Sequence, residues 1–361
     1  MIRLPTLRRP ALVAPLAACL LTLALAASGR AADYPNTSNF GVRFDANAAW
    51  HRQCMEARDA QPPASDAVKA ADKDCDARDL YYDALNSAKA GDAEWRAVRA
   101  CAQATRDDAV LMMLYANGLG VRRDLRLATR YACSLGGAYA EMEGRVGHLA
   151  RLVQSAAAGK PAEPFDLCDD ITSGYMQGEC AAIASHRAEA GREARLAAVA
   201  SRLTPVQRKA WERLTDAADD FSEARGEHET DMSGTARAAM AIEAKDVEDE
   251  LFLADLERFE KGDLPKGTAE QLAVADRRLN EIYRAIQHAK TEEPDNRLGP
   301  STVTKADVQA AQKLWIRFRD AWAAFGRVRY PSAPAQAWPL LLTERRIEQL
   351  QDLLDLAEEA D

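Results

Sequence analysis

A helical spacing of large apolar side chains is the feature that most limits how this chain can fold. Over most of its length apolar residues recur every three or four positions, and no segment shows the sustained period-2 alternation that predicts a strand. The clearest case is KLWIRFRDAWAAF, residues 313–325, where Trp315, Phe318, Trp322 and Phe325 fall on one stripe of a helix. The sequence therefore predicts an all-α protein with little or no sheet.

The same phrase occurs a second time, 104 positions upstream. KAWERLTDAADDF, residues 209–221, repeats the Lys, Trp, Arg, Asp, Ala and Phe of 313–325 at matching steps. We expect each copy to form a helix, a connection with a turn and a second helix introduced by Thr-x-Arg, at 235–237 and at 343–345. The aromatic stripe is interpreted as core packing. The alternative, a carbohydrate-binding surface, would need the rings to face solvent, and a helical chain with only 6% aromatic residues needs those rings for its core.

The first 31 residues have the organisation of a secretory signal peptide. A basic start precedes an apolar stretch, Ala11–Ala27, that is too short for a retained membrane span, and small residues provide a cleavage site before Ala32. Leu16 to Cys19 has the form of a lipobox, but the apolar stretch continues beyond it, so lipid anchoring at Cys19 is not expected. The Ala- and Arg-rich composition is typical of bacteria. We therefore expect a periplasmic or secreted protein with no membrane span.

The charge balance excludes several classes of partner. The net charge is −9, and loss of the four arginines of the signal peptide takes it to −13. Nucleic acid and anionic lipid are poor partners for such a surface. The acid surplus is largest from Asp216 to Glu260, where 15 acidic residues accompany four basic ones. Six carboxylates of this region form a candidate surface for a cationic partner: Asp219, Asp220, Glu223, Glu227, Glu248 and Asp249.

Six cysteines follow the signal peptide, and all precede residue 181: Cys54, Cys75, Cys101, Cys133, Cys168 and Cys180. An even number in an oxidising compartment predicts three disulfides. Cys168–Cys180 is the expected local pair, because Ser173-Gly174 can turn the chain between them. Two arrangements of the others stay open, either 54–75 with 101–133 or 75–101 with 54–133. No CxxC pair occurs and the five histidines are scattered, so we expect no metal site and no cofactor.

Two similar segments between residues 76 and 135 predict two helical hairpins, since matching Asp and Ala-Cys positions recur 32 residues apart. In the second hairpin, Gly118 is expected to end a helix in the left-handed conformation and Gly120 to allow a tight turn. Asp124 is expected to cap the helix that follows.

The stretch LYANGLGVRRDLRLA, residues 114–128, resembles a Sel1-like repeat with its LxYxxGxGVxxDxxxA pattern. The resemblance extends over roughly residues 76–150 and implies a stack of helical hairpins that serves as a protein-interaction scaffold. Gly118 and Gly120 also begin a GxGxxG pattern, but Arg123 occupies the place of the third glycine and no strand precedes it. A nucleotide-binding loop is therefore not expected.

Three ordered motifs near the C-terminus resemble the lysozyme-inhibitor LprI-like N-terminal domain family. They are ADRRLNEIY at 275–283, AQKLWIRFRDA at 311–321, and LTER at 342–345 followed by Leu350, within residues 270–354. The resemblance implies structural roles for eleven positions: Asp276, Leu279, Asn280, Tyr283, Gln312, Trp315, Phe318, Arg319, Asp320, Thr343 and Arg345.

One departure from this family concerns cysteine. Family members commonly carry cysteines after the RDA motif and before the closing helix, whereas this half of the chain has none and places Trp322 and Trp338 there. We expect aromatic packing to replace the stabilising disulfide that those cysteines would form. The copy at 204–260 is interpreted as a divergent relative of the same module.

The predicted organisation is a signal peptide (1–31), a disulfide-linked Sel1-like repeat domain (32–160), a helical region with the divergent copy (161–260) and an LprI-like helical domain (261–361). The LprI resemblance implies a binding protein that inhibits a lysozyme-type enzyme, and a cationic enzyme would suit the acidic surface. The alternative is an envelope scaffold or adaptor that binds proteins through the repeats.

No motif for catalysis is found. The chain has no GxSxG, no HExxH and no SxxK followed by KTG, and the cysteines are expected to be oxidised. His228, Glu229 and Asp231 form the one compact His/carboxylate cluster, and we interpret it as a polar loop. The sequence therefore predicts a non-catalytic protein without catalytic residues.

Overall fold

The computed structural model describes residues 34–68, 73–291 and 296–358. This part of the chain contains twelve α-helices: α1 (Ala49–Ala57), α2 (Ala77–Asn86), α3 (Asp92–Thr105), α4 (Asp108–Asn117), α5 (Leu125–Ser134), α6 (Tyr139–Ala157), α7 (Gly174–Ala200), α8 (Pro205–His228), α9 (Arg237–Glu260), α10 (Ala269–His288), α11 (Lys305–Arg329) and α12 (Ala337–Glu358). A 3-10 helix spans Ala64–Asp66, and an isolated bridge joins Arg297 to Thr304. No strand is present in the described ranges, and the predicted all-α fold is confirmed.

The predicted signal peptide and Cys19 lie outside the described residues. Among the helices that are described, none combines the length and the apolar character needed to cross a bilayer.

The two predicted hairpins are α2 with α3 and α4 with α5. Helix α4 ends at Asn117 and is capped by Gly118, whose φ of 71° is left-handed, and Gly120 has a φ of 62°. A Cβ at Gly120 would overlap the Trp95 side chain, so this turn requires glycine. Asp124 accepts a hydrogen bond from the Leu127 amide and caps α5, as expected.

Three disulfides link the first half of the chain. Cys54–Cys133 joins α1 to α5, Cys75–Cys101 joins the approach to α2 with α3, and Cys168–Cys180 ties the segment before α7 to that helix. The local pair is as predicted. Of the two arrangements left open, 75–101 with 54–133 is the one formed, and 54–75 with 101–133 is wrong.

The described part of the chain contains two hydrophobic cores. The first is built from residues between 40 and 167, and the second from residues between 199 and 357. Helix α7 runs between them. Near its N-terminal end Glu179 pairs with Arg78 of α2 at 2.9 Å, and further along Arg192 pairs with Asp246 of α9 at 3.1 Å.

The second core lies between two helical pairs, α8 with α9 and α11 with α12. The repeated helices α8 and α11 pack directly on each other: the ring of Trp211 lies 5.5 Å from that of Phe325, and the ring of Phe221 lies 5.6 Å from that of Phe318. Since the early residue of α8 meets the late residue of α11, the two helices are antiparallel. Outside these two helical pairs, α7 packs on α9 and α10 packs on α12.

The expected Thr-x-Arg start of the second helix holds only for the first copy. Helix α9 begins at Arg237, but α12 begins at Ala337, so Thr343 and Arg345 lie inside that helix. The earlier start has a packing reason. It places the buried Trp338 against Trp322, with the rings stacked 6.0 Å apart.

Candidate functional site

The aromatic stripe of α11 lies inside the second core. Trp315, Phe318, Trp322 and Phe325 are all buried, the most exposed being Phe318 at 7%. Trp322 packs against rings from α9 and α12 as well as α11. The interpretation of the stripe as core packing is confirmed, and these rings offer no surface to a sugar or a partner.

The eleven LprI-motif positions divide by burial. Five are buried (Leu279, Gln312, Trp315, Phe318 and Thr343), four are half-buried (Asp276, Tyr283, Arg319 and Arg345), and two are exposed (Asn280 and Asp320). The motif thus marks mainly positions that hold the three helices together.

Some of the polar motif positions make contacts within their own helix. Asn280 donates to the Asp276 carbonyl at 2.7 Å, one turn earlier on α10. Arg319 lies over the Trp315 ring at 5.1 Å and pairs with Asp320 at 2.9 Å. Burial raises the pKa of the Tyr283 hydroxyl. These contacts orient side chains on their own helices, and none of them aims a free polar group at a common point.

A buried arginine that the motif analysis did not single out lies at the centre of this region. Arg346 is fully buried, and its guanidinium donates to both carboxylate oxygens of Glu229, at 2.5 and 2.8 Å. It also donates to Gln312 at 2.9 Å and lies over the Phe221 ring at 5.5 Å. A bidentate pair of this kind fixes the angle between its partners, so it locks α12 against the end of α8.

Further ion pairs extend this cluster across the bundle. Arg225 of α8 pairs with Glu229 at 2.6 Å and with Glu248 of α9 at 3.2 Å. Arg345 of α12 makes two hydrogen bonds to Asp255 of α9, at 2.5 and 2.8 Å. Together with Arg346, these contacts form a polar seam that joins α8, α9 and α12.

The seam shifts the titration of its carboxylates. Burial alone would raise the pKa of Glu229, but Arg346 and then Arg225 hold it below its usual value. Burial dominates at Glu248, and its pKa is raised despite the Arg225 contact. Both carboxylates are held by ion pairs within the bundle.

The His/carboxylate cluster singled out in the sequence does not converge. His228 lies 3.1 Å from Asp307, whereas Glu229 turns inward to Arg346. Asp231 accepts hydrogen bonds from the backbone and hydroxyl of Thr302 and shapes a loop. Among the described residues, no group of three His, Cys, Asp or Glu side chains is arranged to hold a metal ion.

Folding neutralises much of the acid surplus between 216 and 260, because arginines from other helices meet it. These pairs are Arg192–Asp246, Arg195–Glu257, Arg317–Asp220, Arg329–Glu260, Arg345–Asp255 and Arg346–Glu229. The partners come from α7, α11 and α12. A count of charges along the sequence therefore overstates how acidic this surface is.

The six candidate surface carboxylates separate into three groups. Glu248 does not lie on the surface, since its side chain is 11% exposed within the seam, and that expectation is wrong. Asp220 pairs with Arg317 at 3.1 Å, and Asp249 pairs with Lys245 at 2.7 Å. Asp219, Glu223 and Glu227 are exposed and have no ion pair within the part of the chain described here.

Asp216 extends these three residues into one line. The exposed carboxylates of Asp216, Asp219, Glu223 and Glu227 recur at i, i+3, i+7 and i+11 of α8, which places them on one face over about 16 Å. We call this set the α8 acidic stripe. Partial burial raises the pKa of Asp219, the nearby Asp249 raises it further, and the nearby Lys245 lowers it. The stripe is a run of mutually repelling charges on the exposed side of α8.

Comparison with known proteins gives a match to a family model. Residues 264–351 match the family model described as "Lysozyme inhibitor LprI". This segment holds α10, α11 and most of α12, and it includes all eleven motif positions. No curated protein and no solved structure matches the chain significantly. Over residues 264–351, the C-terminal part of the chain is therefore similar to the lysozyme inhibitor LprI family.

Proposed function

We propose that this protein is an exported, non-catalytic binding protein of the lysozyme-inhibitor type, and that its partner is a cationic lysozyme-type enzyme. The observation that carries the proposal is the match of residues 264–351 to the LprI family model. Three disulfides support an oxidising compartment, periplasmic or secreted. The divergent module at 204–260, packed face to face with the matched one, belongs to the same proposal.

The binding surface proposed for this partner is the α8 acidic stripe. None of its four carboxylates forms a salt bridge in the described structure, although Lys245 lies near Asp219, whereas the neighbouring acids pair with arginines. Unpaired like charges attract a cationic partner over a distance and accelerate the encounter. The aromatic face of α11 is not part of the surface, because α8 and α9 cover it.

The test is a cell-wall lysis assay with the mature protein titrated against lysozymes of several types at low and high salt. We expect inhibition that weakens as salt rises, because exposed charges are screened beyond about 8–10 Å. A variant with amides at Asp216, Asp219, Glu223 and Glu227 should inhibit roughly tenfold less well, which corresponds to about 1.4 kcal/mol.

The matched control removes the same number of charges from another exposed face. Amides at Glu344, Glu348, Asp352 and Asp355 of α12 should leave inhibition near that of the parent protein. Equal losses in the two variants would refute the stripe as the binding surface. Absence of inhibition of every lysozyme type at micromolar protein would refute the proposed function itself.

A second candidate function is an envelope scaffold that uses the Sel1-like hairpins. Stacking of α2–α3 on α4–α5 favours it, because stacked hairpins of this kind present a continuous surface to protein partners. Affinity capture from periplasmic extract distinguishes the two functions. Partners of a scaffold should be retained equally by the parent protein and by the variant lacking the α8 acidic stripe.

A further inference from the structure

An open cavity lies where α1, α5 and α6 meet. Its volume is about 340 Å³, and small-molecule sites in proteins range from about 300 to 1,000 Å³. The Cys54–Cys133 disulfide ties α1 to α5, and α6 packs on both helices, so the three walls are held together without a ligand. The cavity is therefore a preformed site in the N-terminal half of the chain, outside the segment that matches the LprI family model.

One side of the cavity is apolar. Val146, Ala150 and Val153 recur at i, i+4 and i+7 on α6, and they line the cavity together with Ala57 of α1. Val146 and Ala57 are buried, whereas Val153 is 47% exposed, so the apolar surface runs from the core out to solvent. A ligand that covered this surface would remove apolar area from water, which favours binding.

The cavity also contains a buried hydrogen-bond acceptor without a donor. Gln53 of α1 lines the cavity, and its side-chain carbonyl oxygen is shielded from solvent and accepts no hydrogen bond from any described residue. Buried polar atoms are nearly always paired, and an unpaired one destabilises the fold. A ligand that carried an N–H group into the cavity would satisfy this oxygen.

Arg126 of α5 supplies a positive charge at the rim of the cavity. Its Nε and Nη2 atoms donate to the Glu56 main-chain carbonyl at 3.3 and 3.0 Å, which fixes the guanidinium against the end of α1. Three of the five N–H groups of this arginine remain, and it forms no ion pair with any residue that the structure describes. The Glu56 side chain, one turn from Gln53 on α1, also lines the cavity. The cavity therefore offers a donor for an anion and acceptors for a cation.

We propose that this cavity binds a free α-amino acid with a large apolar side chain. The ligand carboxylate pairs with Arg126, and the ligand ammonium donates to the Gln53 carbonyl oxygen beside the negative charge of Glu56. The ligand side chain covers the apolar face of α6. An apolar anion lacks the donor that Gln53 needs, and an apolar amine lacks a partner for Arg126. The site goes beyond the proposed lysozyme-inhibitor function and does not depend on it.

The test is isothermal titration calorimetry of the full mature protein with L-phenylalanine and two truncated analogues. We expect one-to-one binding of phenylalanine with a Kd below about 1 mM. 3-Phenylpropanoate, which lacks the ammonium group, and 2-phenylethylamine, which lacks the carboxylate, should each bind at least about tenfold more weakly. L-Alanine keeps both charged groups but lacks the large side chain, and it should show no saturation.

Substitutions assign each contact to one end of the ligand. Arg126→Gln should weaken phenylalanine binding by at least about tenfold and leave 2-phenylethylamine binding unchanged. Gln53→Leu should weaken phenylalanine binding and leave 3-phenylpropanoate binding unchanged. Without ligand, this second variant should melt at a higher temperature than the parent protein, because the unpaired buried oxygen is gone. Ala150→Phe should fill the cavity and abolish binding. Its matched control is Ala157→Phe, at an exposed position of the same helix outside the cavity, which should bind as the parent protein does.

Circular dichroism and the disulfide pattern establish that each variant is folded, and Ala150→Leu takes the place of Ala150→Phe if the larger residue prevents folding. Absence of saturable phenylalanine binding to the parent protein would overturn the proposal. Phenylalanine binding that survives in the folded filled variant would do the same, and so would analogues that bind as tightly as phenylalanine. The lysozyme assay stands apart from these results, because the substituted residues lie in the first core and the α8 acidic stripe stays unchanged.

Discussion

The buried pair of Arg346 and Glu229 offers the sharpest test of how the second core is held together. Neither side chain is exposed to solvent, and the two share hydrogen bonds of 2.5 and 2.8 Å. Replacing Arg346 by Met keeps much of its volume and removes its charge. Glu229 would then retain a single cation, Arg225 at 2.6 Å, while Gln312 would lose a donor.

The expected cost follows from leaving a carboxylate buried with too few partners. Removal of one member of a buried ion pair typically destabilises a protein by about 3–5 kcal/mol. The double variant R346M/E229L replaces the pair with apolar groups and should recover most of this loss, because no uncompensated charge remains between them. A failure of the second substitution to recover stability would show that the arginine acts through packing on Phe221 instead.

The dependence of folding stability on pH provides an independent test of the same reasoning. The pKa of Glu229 is lower in the folded protein than in the unfolded chain, so its stabilising contribution is complete above about pH 4.3 and is lost as the pH falls through the folded value. Without Arg346 the pKa of the buried carboxylate rises. The stability gap between R346M and the parent protein should therefore narrow on acidification.

Urea unfolding followed by tryptophan fluorescence is the suitable assay, since four of the six tryptophans belong to the second core: Trp211, Trp315, Trp322 and Trp338. Arg317→Met is the matched control, because the Arg317–Asp220 pair is exposed and should contribute below about 1 kcal/mol. If R346M unfolds within 1 kcal/mol of this control, the reasoning about buried charge is refuted.

Three further outcomes are expected. Peptide mapping without reduction should recover Cys54–Cys133, and Ser at both positions should cost about 4–5 kcal/mol, since the bond closes a loop with a separation of 79 residues. Gly326→Ala should destabilise the protein in thermal melts because its Cβ would overlap Trp338, whereas Gly191→Ala, with open space around it, should stabilise by about 0.5–1 kcal/mol. Glu141→Gln should destabilise at pH 7, and the effect should fade as the pH falls below about 4.3 and through the lower folded-state pKa: burial raises the Glu141 pKa, but hydrogen bonds from Ser173, Thr172 and Ala138 together hold it below its usual value.

The helices and several of their ends are predictable from the sequence because the information is local. Periodicity fixes the buried stripe of α11, and the chemistry of Gly118 and Asp124 fixes the turn between α4 and α5. The pairing of Cys54 with Cys133 is different. It depends on α1 packing beside α5, and no pattern near either cysteine encodes that contact.

The polar seam could not be predicted for the same reason. Glu229 and Arg346 are 117 positions apart, and the motif analysis singled out Arg345 rather than its neighbour. One position on a helix turns a side chain by about 100°, so Arg346 faces the core while Arg345 faces Asp255 at its edge. Glu248 was assigned to the surface because its partner Arg225 could be placed only once α8 and α9 were packed together.

The second core also explains why charge along the sequence is a poor guide to the binding surface. The acids of α9 receive arginines from α7, α11 and α12, so most of that helix is neutralised by the fold itself. On α8, the four carboxylates of the acidic stripe form no salt bridge within the described structure. A cationic partner gains little from acids that already hold an arginine, because it would have to displace a formed contact. Salt-sensitive binding should therefore depend on those four charges and not on the net charge of the chain.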